Sequence, residues 1–138
     1  MTENFPVHEM EYRVPYADTD RMGIVYYANY LIFFEKGRTE LMRKLGLRYR
    51  DLENNDKVFL PCTEANVKYH SPAYYDDLLT IRTKVQKLGS ASINFEYQVT
   101  NAETRKTIVA GATRHPFINR DWKPVRVPDW VRKKLNIK

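Results

Sequence analysis

The sequence predicts an α+β fold, with one long helix and one antiparallel sheet of five strands. Three observations predict it. Apolar residues recur at helical spacing from about 28 to 45. Four later runs alternate β-branched or aromatic residues with polar ones, as Ile93, Phe95, Tyr97 and Val99 do. Short turn signals such as Leu88-Gly89-Ser90 join those runs where parallel strands would need crossover helices.

The elements follow in order. A first strand is expected at 8–16, with Val14 and Tyr16 in alternation, and a loop over 17–25 holds two acids and Gly23. The helix at 28–45 carries an apolar stripe of Tyr30, Leu31, Phe34, Leu41, Met42 and Leu45, with Ile32 and Phe33 beside it, so it should be well buried. Surface pairs Lys36/Glu40 and Glu40/Lys44 fit its i,i+4 spacing, and Arg43, Lys44 and Gly46 form its stop. At ~1.5 Å per residue it would span roughly 27 Å, enough to cross a sheet. After a helical turn near 48–54, strands are expected at 58–70, 76–87, 91–101 and 105–118, then a short helix at 128–136. One helix covers one sheet face and edge strands stay open, so oligomerisation is expected.

Composition narrows the function. At 138 residues one domain, 1–138, is expected. A mean hydropathy of −0.62 and the lack of any ~20-residue apolar run argue against a membrane span. The first residues carry an early acid and no signal-peptide core, and a lone Cys62 excludes an internal disulfide and CxxC metal sites; a cytoplasmic protein is expected. Within its strand-like run Cys62 reads as a small buried apolar residue. His8, His70 and His115 lack metal-ligand spacing, and no nucleophile-elbow, P-loop or dinucleotide motif occurs, so neither metal nor cofactor is expected. A net charge of +6 invites a polyanion. Coenzyme A with its phosphates is one candidate and nucleic acid another. Most of the basic residues are scattered, however, and no RNA-binding aromatic signature is present.

Residues 16–30, YADTDRMGIVYYANY, carry the chemistry. Asp18 and Asp20 end a strand-like run, Gly23 follows, and a helix then begins. An acid beside a helix N-terminus stands where free N–H groups and the dipole favour developing negative charge. A carboxylate attacking a carbonyl held on those N–H groups, or activating water against it, is a minimal acyl-transfer site. Asp18 reads as a supporting acid that caps the loop or pairs with an Arg. Gly23 allows a backbone conformation, or a close ligand approach, that a Cβ would block. Tyr16 either orients Asp20 or water or packs in the core. Glu35 and Arg38, a turn apart, read as a helix ion pair.

The same stretch, continued as LIFFEKGRTE, closely resembles the 4-hydroxybenzoyl-CoA thioesterase family, and within it the Tol–Pal-associated acyl-CoA thioesterase branch. The resemblance runs on through residues 68–78 (KYHSPAYYDDL), 89–92 (GSAS) and 126–128 (RVP). It implies a hotdog fold, a sheet wrapped around a central helix, with dimers forming a continuous sheet, tetramers common and active sites at subunit interfaces. It implies an acyl-CoA thioester hydrolase in which Asp20 is nucleophile or general base and the Tyr27 backbone N–H polarises the thioester carbonyl, and it makes Glu35 part of an interface or substrate pocket. Many members of the Tol–Pal-associated branch carry His where this chain has Tyr27. Lys87, Gly89, Ser90 and Ser92 match the region that meets coenzyme A phosphates in relatives, though they equally suit an ordinary hairpin. An acyl carrier protein thioester is the other substrate form. Tyr27, Tyr30, Phe33, Phe34 and Tyr75 line an acyl pocket or simply form core. The competing readings are a hotdog dehydratase and a non-catalytic binding module for acyl-CoA or acyl carrier protein. No His follows Asp20 before His70, which counts against the first, and only the second would tolerate loss of Asp20.

Overall fold

A computed structural model of the chain describes residues 5–136. Residues 1–4, on which the absence of a leader-like core was partly read, lie outside it. The elements are β1 (Val7–Arg13), a 3-10 turn (Tyr16–Asp18), α1 (Asn29–Lys44), α2 (Tyr49–Asp51) continuing into a π-turn (Leu52–Asp56), β2 (Glu64–Tyr69), β3 (Leu78–Leu88), β4 (Ser92–Asn101), β5 (Thr107–Pro116) and α3 (Asp129–Leu135). The five strands form one sheet in the order β1-β3-β4-β5-β2, and every neighbouring pair is antiparallel. This is the expected α+β architecture.

Alternation explains the core. Leu79, Ile81, Thr83 and Val85 of β3 and Ile93, Phe95, Tyr97 and Val99 of β4 are all buried on the face that receives α1. The helix answers with Tyr30, Phe33, Phe34, Gly37, Leu41 and Met42, the i, i+3, i+4, i+7 stripe of a one-sided helix. Phe34 stacks on Tyr97 with centroids 4.2 Å apart, and Phe33 packs on Tyr12 of β1 at 4.9 Å. The helix stops where expected: Arg43 and Lys44 end it, and Gly46 takes φ +78°, a left-handed turn that a Cβ would strain.

Several expectations need correction. Leu31 and Ile32 are exposed, because they lie off the stripe and the sheet covers only one side of α1. The strand expected over 58–70 shrinks to β2: Pro61 lacks an N–H, and Phe59 makes only an isolated bridge to Ile118. Cys62 therefore lies outside any strand and is exposed. Glu40 pairs with Arg43 at 3.3 Å, while Lys36 sits over the Tyr12 ring at 5.4 Å. Arg38 does not pair with Glu35 among the described residues; its Nη1 lies 3.4 Å from the Tyr97 hydroxyl.

β2 pairs with β5 alone and is an open edge. The sheet has two ends, each gathering different element termini. At one lie the start of β3, the end of β2 and the start of α1. At the other lie the β3–β4 turn, the start of β2 and the end of β5.

Candidate active site

The loop after β1 is fastened at both sides. Val14 and the 76–77 turn exchange hydrogen bonds, Val14 N–H to Asp77 at 3.0 Å and Asp76 N–H to Val14 at 2.8 Å. Val25 N–H donates to the Ala73 carbonyl at 2.8 Å, and Ile24 bridges Tyr74. The motif at 68–78 thus buttresses the acidic loop. Asp77 Oδ2 accepts from Tyr74 N–H at 2.9 Å and holds that buttress in shape.

Within the loop, Asp20 N–H donates to the Ile24 carbonyl at 2.9 Å, and the Asp20 carbonyl accepts from Gly23 N–H at 3.0 Å. Gly23 has φ +80°, and a Cβ there would meet nothing within 4 Å. The backbone conformation, not space, calls for glycine. Met22 N–H donates to Asp20 Oδ1 at 2.8 Å. One carboxylate oxygen is thereby fixed, while Oδ2 makes no hydrogen bond among the described residues.

Asp18 is the supporting acid. The Tyr12 hydroxyl donates to its Oδ2. Burial first, and then this carboxylate, push the Tyr12 phenol up to about 12. The partner is a tyrosine, where an Arg was one expectation.

Helix α1 begins at Asn29, just past Tyr27 and Ala28. Among the described residues neither the Tyr27 nor the Ala28 N–H has a protein acceptor. Both precede the positive end of a 16-residue helix. The Tyr27 carbonyl accepts from the Tyr69 hydroxyl at 3.0 Å, which ties this turn to the end of β2. Tyr26, Tyr27 and Tyr69 form an exposed aromatic rim. The Tyr26 phenol is pushed up, first by the neighbouring Tyr27 phenol and last by the charge of Asp20.

Of the residues singled out in the sequence, Asp20, Gly23 and Tyr27 share this end of the molecule. Tyr16 is there too but is 74 % exposed, stacked on Tyr75 at 3.9 Å, and makes no hydrogen bond to Asp20. It belongs to no core. Tyr30, Phe33 and Phe34 are buried core, while Tyr75 is exposed.

Lys87, Gly89, Ser90 and Ser92 lie at the opposite end. Gly89 N–H donates to the Ser92 carbonyl at 2.8 Å, and Val127 N–H to the Ser90 carbonyl at 2.8 Å. Arg132 Nη2 donates to the Gly89 carbonyl at 2.7 Å, so α3 braces the turn. The 11 residues of β3 separate this turn from the Asp20 loop, roughly 33 Å at strand rise. A cavity of about 460 Å³ lined by Phe59, Leu60, Pro61, Ile118 and Trp122 opens at the turn's end of the sheet.

Sequence reasoning gave no role to Tyr12, Tyr69 or Asn29. Asn29 carried a signal, since a polar amide at the start of an apolar helix is a preferred capping residue. Tyr12 carried none beyond strand alternation, while Tyr69 lies in the 68–78 stretch that carries the resemblance.

The thioesterase-like superfamily profile matches residues 14–135. YneP of Bacillus subtilis, provisionally named an acyl-CoA thioesterase, is 33% identical over 90% of this chain and 92% of its own. The acyl-CoA thioester hydrolase YbgC of Escherichia coli is 36% identical over 66% of this chain and 67% of its own. The crystal structure of a DHNA-CoA thioesterase from Staphylococcus aureus superposes with a TM-score of 0.84 at 31% identity, covering 93% of this chain and 89% of that one.

Proposed function

The chain belongs to the thioesterase-like superfamily, and from that premise we propose that it hydrolyses acyl-CoA thioesters to free acid and coenzyme A at Asp20. One observation carries this reading: among the described residues, Asp20 has one oxygen tied to Met22 N–H and the other free, on a loop fastened beside the unpaired N–H groups that open α1.

Two routes use the same atoms. In one, Asp20 Oδ2 adds to the thioester carbon, the C–S bond breaks, and coenzyme A leaves as a thiolate that takes a proton. Water then hydrolyses the resulting mixed anhydride and returns the carboxylate. In the other, Oδ2 takes the proton of a water that adds directly, and the tetrahedral intermediate expels the thiolate. In both, the carbonyl oxygen gains charge against the Tyr27 N–H and the α1 dipole, a contribution of several kcal/mol in a preorganised site.

The coenzyme A phosphates bind at Lys87, Gly89, Ser90 and Ser92 of a second copy. The length of β3, roughly 33 Å at strand rise, lies between the Asp20 loop and the turn of the same copy, too far for one ligand that must also place its thioester at Asp20. Antiparallel pairing of two β2 edges would bring the turn end of one sheet to the Asp20 end of the other. The exposed Leu31, Ile32, Tyr27 and Tyr69 around that edge supply the apolar surface such pairing covers. Two such dimers form the assembly we propose. No helix among the described residues is long and apolar enough to cross a membrane. We assign the protein to the cytoplasm, since an exposed free Cys62 suits a reducing compartment.

Thiol release from short, long and aromatic acyl-CoAs, with an acyl carrier protein thioester as a further arm, tests the activity. We expect hydrolysis of at least one acyl-CoA class; none on any of them would overturn the proposal and favour a binding module.

A further inference from the structure

We infer that Asn29 is a positioning residue for the reaction, an amide clamp that fixes the distance between Asp20 and the Tyr27 N–H. The inference rests on the reading of Asp20 as the reacting carboxylate.

Nothing covalent holds the acidic loop at the helix start except the chain itself, and eight residues separate Asp20 from Asn29. The link that reaches across that gap to the helix start is the carbonyl of Asp18. It accepts from Tyr26 N–H at 2.9 Å and from Asn29 Nδ2 at 2.9 Å. Asn29 N–H in turn donates to the Tyr26 carbonyl at 2.9 Å, closing a ring of three hydrogen bonds. One side of that ring is two residues before Asp20 and the other is two residues after Tyr27. The carbonyl acceptor dictates the amide orientation, since only the NH₂ end can donate. Asn29 is half-buried, so its bond is partly shielded from competing water.

Asn29 is the first residue of α1, one position past the place where an Asn ordinarily caps a helix by accepting from N–H groups one turn on. Here α1 has no side-chain cap, with Ala28 as its N-cap residue. The Asn29 amide is used as a donor back to the loop. Its work is thus on the loop and not on the helix, which separates positioning from stability. Transition-state placement is sensitive at this scale: a displacement of about 1 Å at the reacting groups can cost ~100-fold.

The test is steady-state hydrolysis of the best acyl-CoA by Asn29→Ala and Asn29→Asp, each alone and combined with Asp20→Asn, with melting temperature measured alongside. Asn29→Asp keeps size, favours a helix start and removes the donor, so it stays folded even if Asn29→Ala does not. We expect kcat to fall about tenfold or more in both, KM to stay within about twofold, and no further loss when either is added to Asp20→Asn. A purely structural residue would lower the melting temperature and reduce the residual Asp20→Asn rate by the same factor as the wild-type rate. Near-wild-type kcat in Asn29→Asp, or an undiminished loss in the Asp20→Asn background, overturns the clamp. Wild-type kcat in Asp20→Asn would instead overturn the reading of Asp20, and the clamp with it. An inactive Asp20→Asn beside a fully active Asn29→Asp removes the clamp alone.

Discussion

At His115 the imidazole is 1 % exposed, and its Nε2 lies 2.8 Å from Thr113 Oγ1, itself 2.6 Å from the Tyr97 hydroxyl. Arg38 reaches the same hydroxyl from the helix. Burial, and then the charge of Arg38, lower the His115 pKa from 6.5 to about 4. Between those values the unfolded chain binds a proton that the folded one refuses. Stability from this site is complete above pH 6.5 and is lost as pH falls towards 4, up to about 3 kcal/mol in all. Urea unfolding of wild type and His115→Gln across that range should show a steep slope in the first and a flatter one in the second. Equal slopes would contradict the assignment. Asp18 follows the same logic of local partners: a tyrosine on β1 holds its carboxylate, and no cation is needed.

Helix α1 lies close against the sheet at Gly37, where an added Cβ would overlap Thr83 Oγ1 and come within 3.1 Å of Ile81 Cγ2. Alanine there gains ~1 kcal/mol of helix propensity, but Thr83 is buried and β-branched and has little room to yield. Overpacking of this kind costs about 1–3 kcal/mol, so Gly37→Ala should be net destabilising in urea. Thr83→Ala should relieve most of that cost in the double variant; a stabilised Gly37→Ala would show that the helix floats above the sheet. The helix and all five strands were legible in the sequence because their periods are local. The exposure of Leu31 and Ile32 was not, since which side of α1 meets the sheet is a tertiary choice. Nor was the shortening of β2, because Pro61 and the lone Phe59–Ile118 bridge take their meaning from β5. Cys62 was misjudged for that same reason.

The whole molecule carries its two sequence-predicted sites at opposite ends of one sheet. Asp20, Gly23 and Tyr27 could be grouped from the sequence, being one motif on one loop and helix start. Their distance from Lys87 and Ser90 could not, because only the strand order and the length of β3 reveal it. In the dimer proposed above, paired along the open β2 edge and the exposed rim of Tyr27, Leu31, Ile32 and Tyr69, the isolated chain is half of a functional unit. Subunit mixing separates the two halves. If Asp20 of one copy works with the turn of another, co-assembled Asp20→Asn and Lys87→Glu chains regain about a quarter of the wild-type rate, because half of random dimers are mixed and each mixed dimer has one intact site. The most direct measurement is therefore thiol release by Asp20→Asn, alone and co-assembled with Lys87→Glu. The account expects a fall of at least ~100-fold for Asp20→Asn alone, the scale of a lost catalytic acid–base group, and partial recovery on mixing. Hydrolysis by Asp20→Asn within a few-fold of wild type would contradict it.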